Sequence, residues 1–238
     1  MRVMREDYEL AERYDSLKER IAAACQRAGR KPEDVTLVAV TKGFPAGAIV
    51  EGHKLGIRHF GENRAQEAQS KFAALPDLLP RPTFHLVGHL QSNKVKLALQ
   101  LFDIIQSVDS LKLADMLDNQ ASSAGLAGRV GRKLPVFMEI NISGEKTKFG
   151  FRPEDASKAL EHISRLGHLD VRGLMTVAPL VDRAEEARPY FRLLKKIAGS
   201  LGLRELSMGM SGDYEVAVEE GATIIRIGRA LFGERRTK

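Results

Sequence analysis

The sequence is poor in cysteine and in long apolar runs. Its one cysteine, Cys25, cannot form an internal disulfide and cannot by itself build a thiolate zinc or iron–sulfur site. The opening residues lack the apolar core of a secretory signal, and no run approaches the about 20 apolar residues that span a bilayer. We therefore expect a cytoplasmic protein with no membrane partner.

Tryptophan is absent and tyrosine occurs only four times, whereas the formal net charge is +6. A basic chain invites a nucleic-acid function, but stacking on bases needs aromatic side chains. The basic residues also alternate with acidic ones, as in 12–20 and 183–192. Dispersed charge of this kind is typical of a solvated surface, so we expect no nucleic-acid partner.

The composition that remains is that of a globular chain, with 43% hydrophobic and 29% charged residues over 238 positions. Collagen, a coiled-coil rod and a largely disordered chain are excluded. The first thirty residues place apolar side chains every three or four positions, which predicts an amphipathic helix ending near Gly29.

Short β-branched and apolar runs then alternate with helical spacing. Near-continuous apolar runs are typical of parallel strands buried on both faces. Strands are predicted at 35–40, 57–60, 83–87, 103–106, 135–142, 171–177, 205–208 and 223–227, and the first helices between them at 45–55, 63–75 and 92–101. The segment 120–133 is rich in Gly, Ala and Ser and is predicted to be a loop.

Eight strands alternating with helices predict a single-domain (β/α)8 TIM barrel of the α/β class, preceded by an extra N-terminal helix. An open doubly wound sheet would more often stop at five or six strands. The expected division is a helix at 1–30, a barrel at 31–233 and a basic tail at 234–238, within one domain.

Reactive groups of a parallel barrel lie where the strands end, at the carboxyl face. Lys42 follows the first strand, where a desolvated lysine has a lowered pKa and a nucleophilic amine that can form a Schiff base. A solvated lysine at a strand end is the alternative. Asn63 follows the second strand and could donate to a ligand oxygen.

Small residues follow the last two strands, where barrels often bind phosphate. Ser211, Gly228 and the backbone amide of Arg229 form a candidate phosphate site. Arg226 lies in an otherwise apolar strand, and a buried guanidinium needs an acceptor. That acceptor is either a structural ion-pair partner or a group of a bound ligand.

Two histidines, His85 and His89, are four positions apart but lie on a strand and in its loop. The helical geometry that would aim both rings at one metal is missing, so we expect no metal site.

Seven collinear segments resemble the pyridoxal-phosphate homeostasis protein family, whose members are similar to the barrel domain of alanine racemase standing alone. The matching segments are 38–42 (VAVTK), 60–63 (FGEN), 85–94 (HLVGHLQSNK), 141–146 (NISGEK), 172–176 (RGLMT), 206–211 (LSMGMS) and 221–228 (GATIIRIG).

The resemblance implies that Lys42 holds pyridoxal 5'-phosphate as an internal aldimine and that Arg226 faces the pyridine nitrogen. It also implies that Ser211, Gly228 and Arg229 bind the phosphate and that Asn63 lies near the ring. The sequence departs from the family pattern twice. Arg229 replaces a residue that is often a small hydroxyl residue, and Arg64 replaces an aromatic one.

The family resemblance implies a non-catalytic carrier that buffers pyridoxal phosphate and delivers it to apo forms of enzymes that use it. Arginine does not give its proton to the pyridine nitrogen, so the cofactor is a poor electron sink. We expect a monomer, with a dimer as the alternative. Two other functions stay open: an amino-acid racemase using Lys42 and a second base such as Tyr214, and a barrel enzyme whose lysine forms a Schiff base with a phosphorylated sugar.

Overall fold

A computed structural model describes residues 2–123, 133–145 and 147–234. Its eight strands form a closed parallel barrel in which each strand pairs with the next along the chain and the last pairs with the first. The strands are β1 (Thr36–Val40), β2 (His59–Glu62), β3 (Thr83–Leu86), β4 (Ile104–Val108), β5 (Leu134–Glu139), β6 (Leu169–Met175), β7 (Glu205–Ser207) and β8 (Ile224–Ile227).

Helices alternate with these strands, as the (β/α)8 prediction requires. They are α1 (Arg2–Arg27), α2 (Ala46–Lys54), α3 (Ala65–Ala73), α4 (Val95–Leu101), α5 (Leu111–Ser123), α6 (Ala156–Ser164), α7 (Arg188–Ser200), α8 (Tyr214–Glu219) and α9 (Arg229–Phe232). The TIM barrel and its extra N-terminal helix α1 are therefore confirmed. No helix within the described ranges has the length and apolar content that a membrane crossing requires.

The extra helix α1 lies against α8 and α9. Leu17 and Ile21 of α1 are buried in the main apolar core. Ion pairs join Arg20 and Arg27 of α1 to Glu215 of α8 at the edge of this contact. Helix α1 thus packs against the two helices that precede and follow β8.

Successive residues of each strand face opposite sides of the barrel wall, because side chains alternate along a strand. Ala39 packs in the larger apolar cluster shared with the helices, whereas Val38 and Val40 pack in a smaller cluster inside the barrel. This alternation turns Lys42, two residues beyond Val40, toward the inside, and Thr41 toward the helices.

Several predicted boundaries are wrong. Strand β5 ends at Glu139 instead of 142, and β6 spans Leu169–Met175 instead of 171–177. Strand β2 spans His59–Glu62 instead of the predicted 57–60, because the Ile57 amide donates to the Gly52 carbonyl oxygen of α2. The predicted loop 120–133 begins as the last turn of α5, which continues to Ser123 because buried Leu117 and Ala121 share its core face. Residues 124–132 of that loop and 235–238 of the basic tail lie outside the described residues.

Candidate functional site

A cavity of about 510 Å³ opens at the carboxyl ends of the strands. All six residues that the sequence analysis selected line it: Lys42, Asn63, Ser211, Arg226, Gly228 and Arg229. Apolar side chains complete the lining, among them Val40, Val87 and Val177. The cavity thus combines apolar walls with an amine, a guanidinium and small polar groups at separate positions.

Lys42 reaches this cavity from the end of β1, and the backbone on either side of it is held by a buried charged cluster. Lys71 of α3 donates from Nζ to the Thr41 carbonyl oxygen at 2.7 Å. The Gly43 amide donates to Glu67 Oε1 at 2.6 Å. The two peptide groups that flank Lys42 are therefore both anchored to α3.

The centre of this cluster is Glu62, whose side chain is 1% exposed. Glu62 forms an ion pair with Lys71 and accepts a hydrogen bond from Thr41 Oγ1 at 2.6 Å. Burial raises the pKa of Glu62, although both donors oppose the shift. We call Glu62, Glu67, Lys71 and Thr41 the Glu62 cluster. The sequence analysis missed Lys71 because a lysine in an amphipathic helix is normally expected on the surface.

Arg226 is buried inside the barrel, and its acceptors in the described chain are neutral. Its NH1 donates to Ser207 Oγ at 2.6 Å and its NH2 to the Thr176 carbonyl oxygen at 2.7 Å. Burial lowers the pKa of Arg226 to about 10, against the attraction of Glu139 and Asp213. The group stays charged at neutral pH. Of the two acceptors that the sequence analysis considered for Arg226, the structural ion-pair partner is therefore not found among its hydrogen-bond acceptors in the described residues.

The predicted phosphate-binding residues meet where the β7 loop reaches α9. Ser211 Oγ accepts a hydrogen bond from the Ala230 amide at 3.1 Å, which ties the loop to the first turn of α9. Gly228 precedes this turn. The Arg229 side chain is 64% exposed and extends toward Glu234, so its amide lies closer to the barrel than its guanidinium. Amides at a helix start lack intrahelical acceptors.

Asn63 lies at the cavity edge, directly after β2, where a close approach of two loops fixes its backbone. A Cβ atom on Gly88 would lie 2.5 Å from the Asn63 carbonyl oxygen and 2.9 Å from its Cα. Only glycine therefore permits the β3 loop to pack against Asn63 at this distance. The loop in turn is held by Ser107, whose Oγ donates to the Gly88 carbonyl oxygen at 2.7 Å.

Tyr214, the sequence candidate for a second base, does not line this cavity. Its ring is 1% exposed and lies under Arg20 of α1, with the Arg20 Cζ 5.4 Å from the ring centroid. It borders a separate cleft of about 240 Å³ between α1, α8 and α9. Burial raises the pKa of Tyr214. The geometry therefore removes Tyr214 as the second base of the racemase hypothesis.

The structure separates the two histidines considered for a metal. His85 lies inside the barrel, where its ring contacts His59 and Gln106. His89 lies in the loop, with Nδ1 2.8 Å from Asp109 Oδ2 and its ring stacked on Phe149.

Comparison with known proteins places this site in a family. Residues 13–236 match the family model of the alanine racemase N-terminal domain. A protein of Aquifex aeolicus called pyridoxal phosphate homeostasis protein is 41% identical over 231 residues, covering 94% of this chain and 98% of that protein. One of the same name from Pseudomonas aeruginosa is 43% identical over 228 residues, covering 95% and 96%.

Solved structures agree with these sequence matches. PipY of Synechococcus elongatus, solved with pyridoxal phosphate bound, is 41% identical with a TM-score of 0.80, and the match covers 94% of this chain and all of that one. An alanine racemase of Clostridium difficile shares the fold at 15% identity and a TM-score of 0.73, where the match covers 97% of this chain and 58% of the racemase. The chain therefore belongs to the pyridoxal phosphate homeostasis protein family.

Proposed function

We propose that the chain binds pyridoxal 5'-phosphate in the cavity at the carboxyl ends of the strands, on Lys42, and serves the intracellular homeostasis of this cofactor. In this role it buffers the reactive aldehyde in the cytoplasm and delivers it to apo forms of enzymes that depend on it. The observation that carries the proposal is the convergence of Lys42, Arg226 and Ser211 on one cavity.

The donor set fits the groups of pyridoxal phosphate. When bound, the cofactor supplies an aldehyde, and Lys42 supplies the amine that condenses with it, with loss of one water. Arg226 presents a charged donor from the barrel interior, suited to a pyridine nitrogen that accepts. Ser211, Gly228 and the Arg229 amide supply short polar groups for the phosphate, and Asn63 supplies an amide beside the ring.

The same residues favour holding the cofactor over turning over a substrate. A cation at the pyridine nitrogen disfavours a protonated ring, which weakens the ring as an electron sink. Racemisation also needs a second base, and Tyr214 lies outside the cavity, beneath α1. We therefore propose binding and release without catalytic turnover, by a monomer that contains the whole site.

The experiment that tests this function is a titration of the apo protein with pyridoxal phosphate, followed by its absorption spectrum. The wild type should develop the absorption of a lysine-bound cofactor at one equivalent, and Lys42→Ala should not. Lys158→Ala is the matched control, since Lys158 is an exposed lysine on α6. Equal colour in Lys42→Ala would overturn the assignment of this amine.

A second measurement addresses turnover. Amino acids added to the loaded protein should be recovered with their configuration unchanged and without solvent deuterium at the α-carbon. Stereospecific exchange at ordinary enzyme rates would contradict the non-catalytic role.

A further inference from the structure

A continuous hydrogen-bond chain crosses the inside of the barrel behind Arg226. It links five side chains on five strands: Arg226 (β8), Ser207 (β7), Gln106 (β4), His85 (β3) and His59 (β2). The consecutive donor–acceptor distances are 2.6, 2.6, 2.8 and 3.0 Å. We call these residues the interior chain. It runs from the cavity to the opposite end of the barrel, where β2 begins.

The hydrogen bonds of the interior chain share one direction, which starts at Arg226. A guanidinium only donates, so Ser207 Oγ accepts from it and gives its own proton to Gln106 Oε1. With its oxygen used in this way, Gln106 turns its amide nitrogen toward His85 and donates to Nδ1. All the donors therefore point away from the cavity.

This direction determines the tautomers of both histidines. Burial, together with the neighbouring His59, lowers the pKa of His85 to about 3, so the ring is neutral and has one donor and one acceptor nitrogen. Its Nδ1 accepts from Gln106, which leaves the proton on Nε2 to be donated to His59 Nδ1. Burial also lowers the pKa of His59, which keeps that acceptor neutral.

We propose that Ser207, Gln106 and His85 are positioning residues that hold the Arg226 guanidinium in one orientation, with its remaining N–H donors toward the cavity. The inference rests on the proposed function, since the group that Arg226 would meet there is the pyridine nitrogen of pyridoxal phosphate. Ser207 is the first link, because it contacts Arg226 directly and is fully buried. Beyond Arg226, the links of the interior chain are neutral groups, so the positive charge lies on the arginine beside the cavity.

The chain offers a matched pair of variants for the test. Ser207→Ala removes the hydroxyl that links Arg226 to Gln106. Thr223→Val removes a partly buried hydroxyl that accepts a hydrogen bond from the Leu206 amide and lies outside both the interior chain and the cavity lining. Both changes remove one hydroxyl from the β7–β8 side of the barrel wall, so a general loss of packing affects both.

Two readouts are measured on these proteins. One is the affinity for pyridoxal phosphate together with the pH dependence of the bound cofactor's absorption. The other is the assignment of the histidine ring nitrogens by ¹⁵N NMR of the apo wild type and of apo Ser207→Ala, which needs no cofactor.

We expect Ser207→Ala to lose about tenfold in affinity, the usual effect of one hydrogen bond to a charged group, and to shift the pH profile of the absorption. Thr223→Val should change the affinity less than about twofold. Wild-type His85 should carry its proton on Nε2, and Ser207→Ala should populate both tautomers.

Two results would overturn the positioning role while the proposed function stands. One is a wild type that binds pyridoxal phosphate while Ser207→Ala and Thr223→Val bind it equally well with the same pH profile. The other is a wild-type His85 protonated on Nδ1, which requires the opposite direction of the chain. A wild type that binds no pyridoxal phosphate contradicts the proposed function itself, and with it the role of the chain toward this ligand.

Discussion

Two buried polar networks adjoin the cavity, and they are built in different ways. The Glu62 cluster lies between the barrel wall and α3 and is made of full charges, with Glu62 and Glu67 around Lys71. The interior chain lies inside the barrel, and beyond Arg226 it contains only neutral groups, ending at His59. One network is ionic and compact, and the other is neutral and extended.

The two networks also differ in the atoms they hold in place. The Glu62 cluster binds backbone atoms on both sides of Lys42, so it fixes the position of a strand end and leaves the reactive side chain to the cavity. The interior chain binds a side chain, Arg226, and fixes its orientation. The two networks thus hold different atoms: the Glu62 cluster holds the backbone beside Lys42, and the interior chain holds the side chain of Arg226.

The largest effect is expected from breaking the ionic network. Lys71→Met leaves Glu62 buried and without its cation, and removal of one partner of a buried ion pair typically costs about 3–5 kcal/mol. Urea denaturation should show this loss in the free energy of unfolding. The double variant Glu62→Gln/Lys71→Met should recover part of it, because no unpaired charge remains.

The exposed Lys158→Met on α6 is the control for this prediction. A loss below about 1 kcal/mol in Lys71→Met would mean that the buried pair contributes no more than a surface pair.

A pH effect is expected at the barrel interior near Arg226. Burial, and secondly the charge of Asp109, raises the pKa of Glu139 from 4.5 to about 7, while Arg226 opposes the shift. The folded protein then binds this proton more tightly than the unfolded chain. Proton binding by Glu139 therefore stabilises the fold. This stabilisation is fully present below pH 4.5 and is lost as the pH rises through about 7, by an amount on the order of 3 kcal/mol.

Unfolding curves of the wild type and Glu139→Gln between pH 4.5 and 8 measure this contribution. As the pH rises through this interval, the free energy of unfolding of the wild type should fall relative to that of Glu139→Gln. Parallel curves would show that Glu139 titrates normally.

The smallest effects are expected at the residues proposed to bind the phosphate, which belong to neither network. Ser211→Ala removes the acceptor that ties the β7 loop to α9 and should weaken pyridoxal phosphate binding about tenfold. Arg229→Ala should change it about twofold, since only the backbone amide of this residue is expected to contact the phosphate. Equilibrium titration compares the two. A larger loss in Arg229→Ala would assign the contact to its side chain.

The order of the elements was predictable because most strands contain a short apolar or β-branched run and helical spacing separates these runs. Strand β2 was placed two residues early because Ile57 continues the apolar pattern, although its amide ends α2. The cavity-lining residues were predictable because the carboxyl ends of parallel strands converge in any closed barrel.

The supporting residues were not predictable in the same way. Lys71 lies in a helix whose pattern gives no sign that one lysine turns inward to a buried glutamate. Ser207 ends β7 after Leu206, and Gln106 follows two isoleucines in β4, but neither residue carries a charge whose burial demands a partner. Their pairing across 101 positions of the chain follows only from closure of the barrel.

The most direct test of the account is borohydride reduction of the protein loaded with pyridoxal phosphate, followed by peptide mass mapping. The account predicts a single phosphopyridoxyl adduct, located on Lys42 and lost in Lys42→Ala. An adduct on another lysine, or none on a protein that still binds the cofactor, would contradict it.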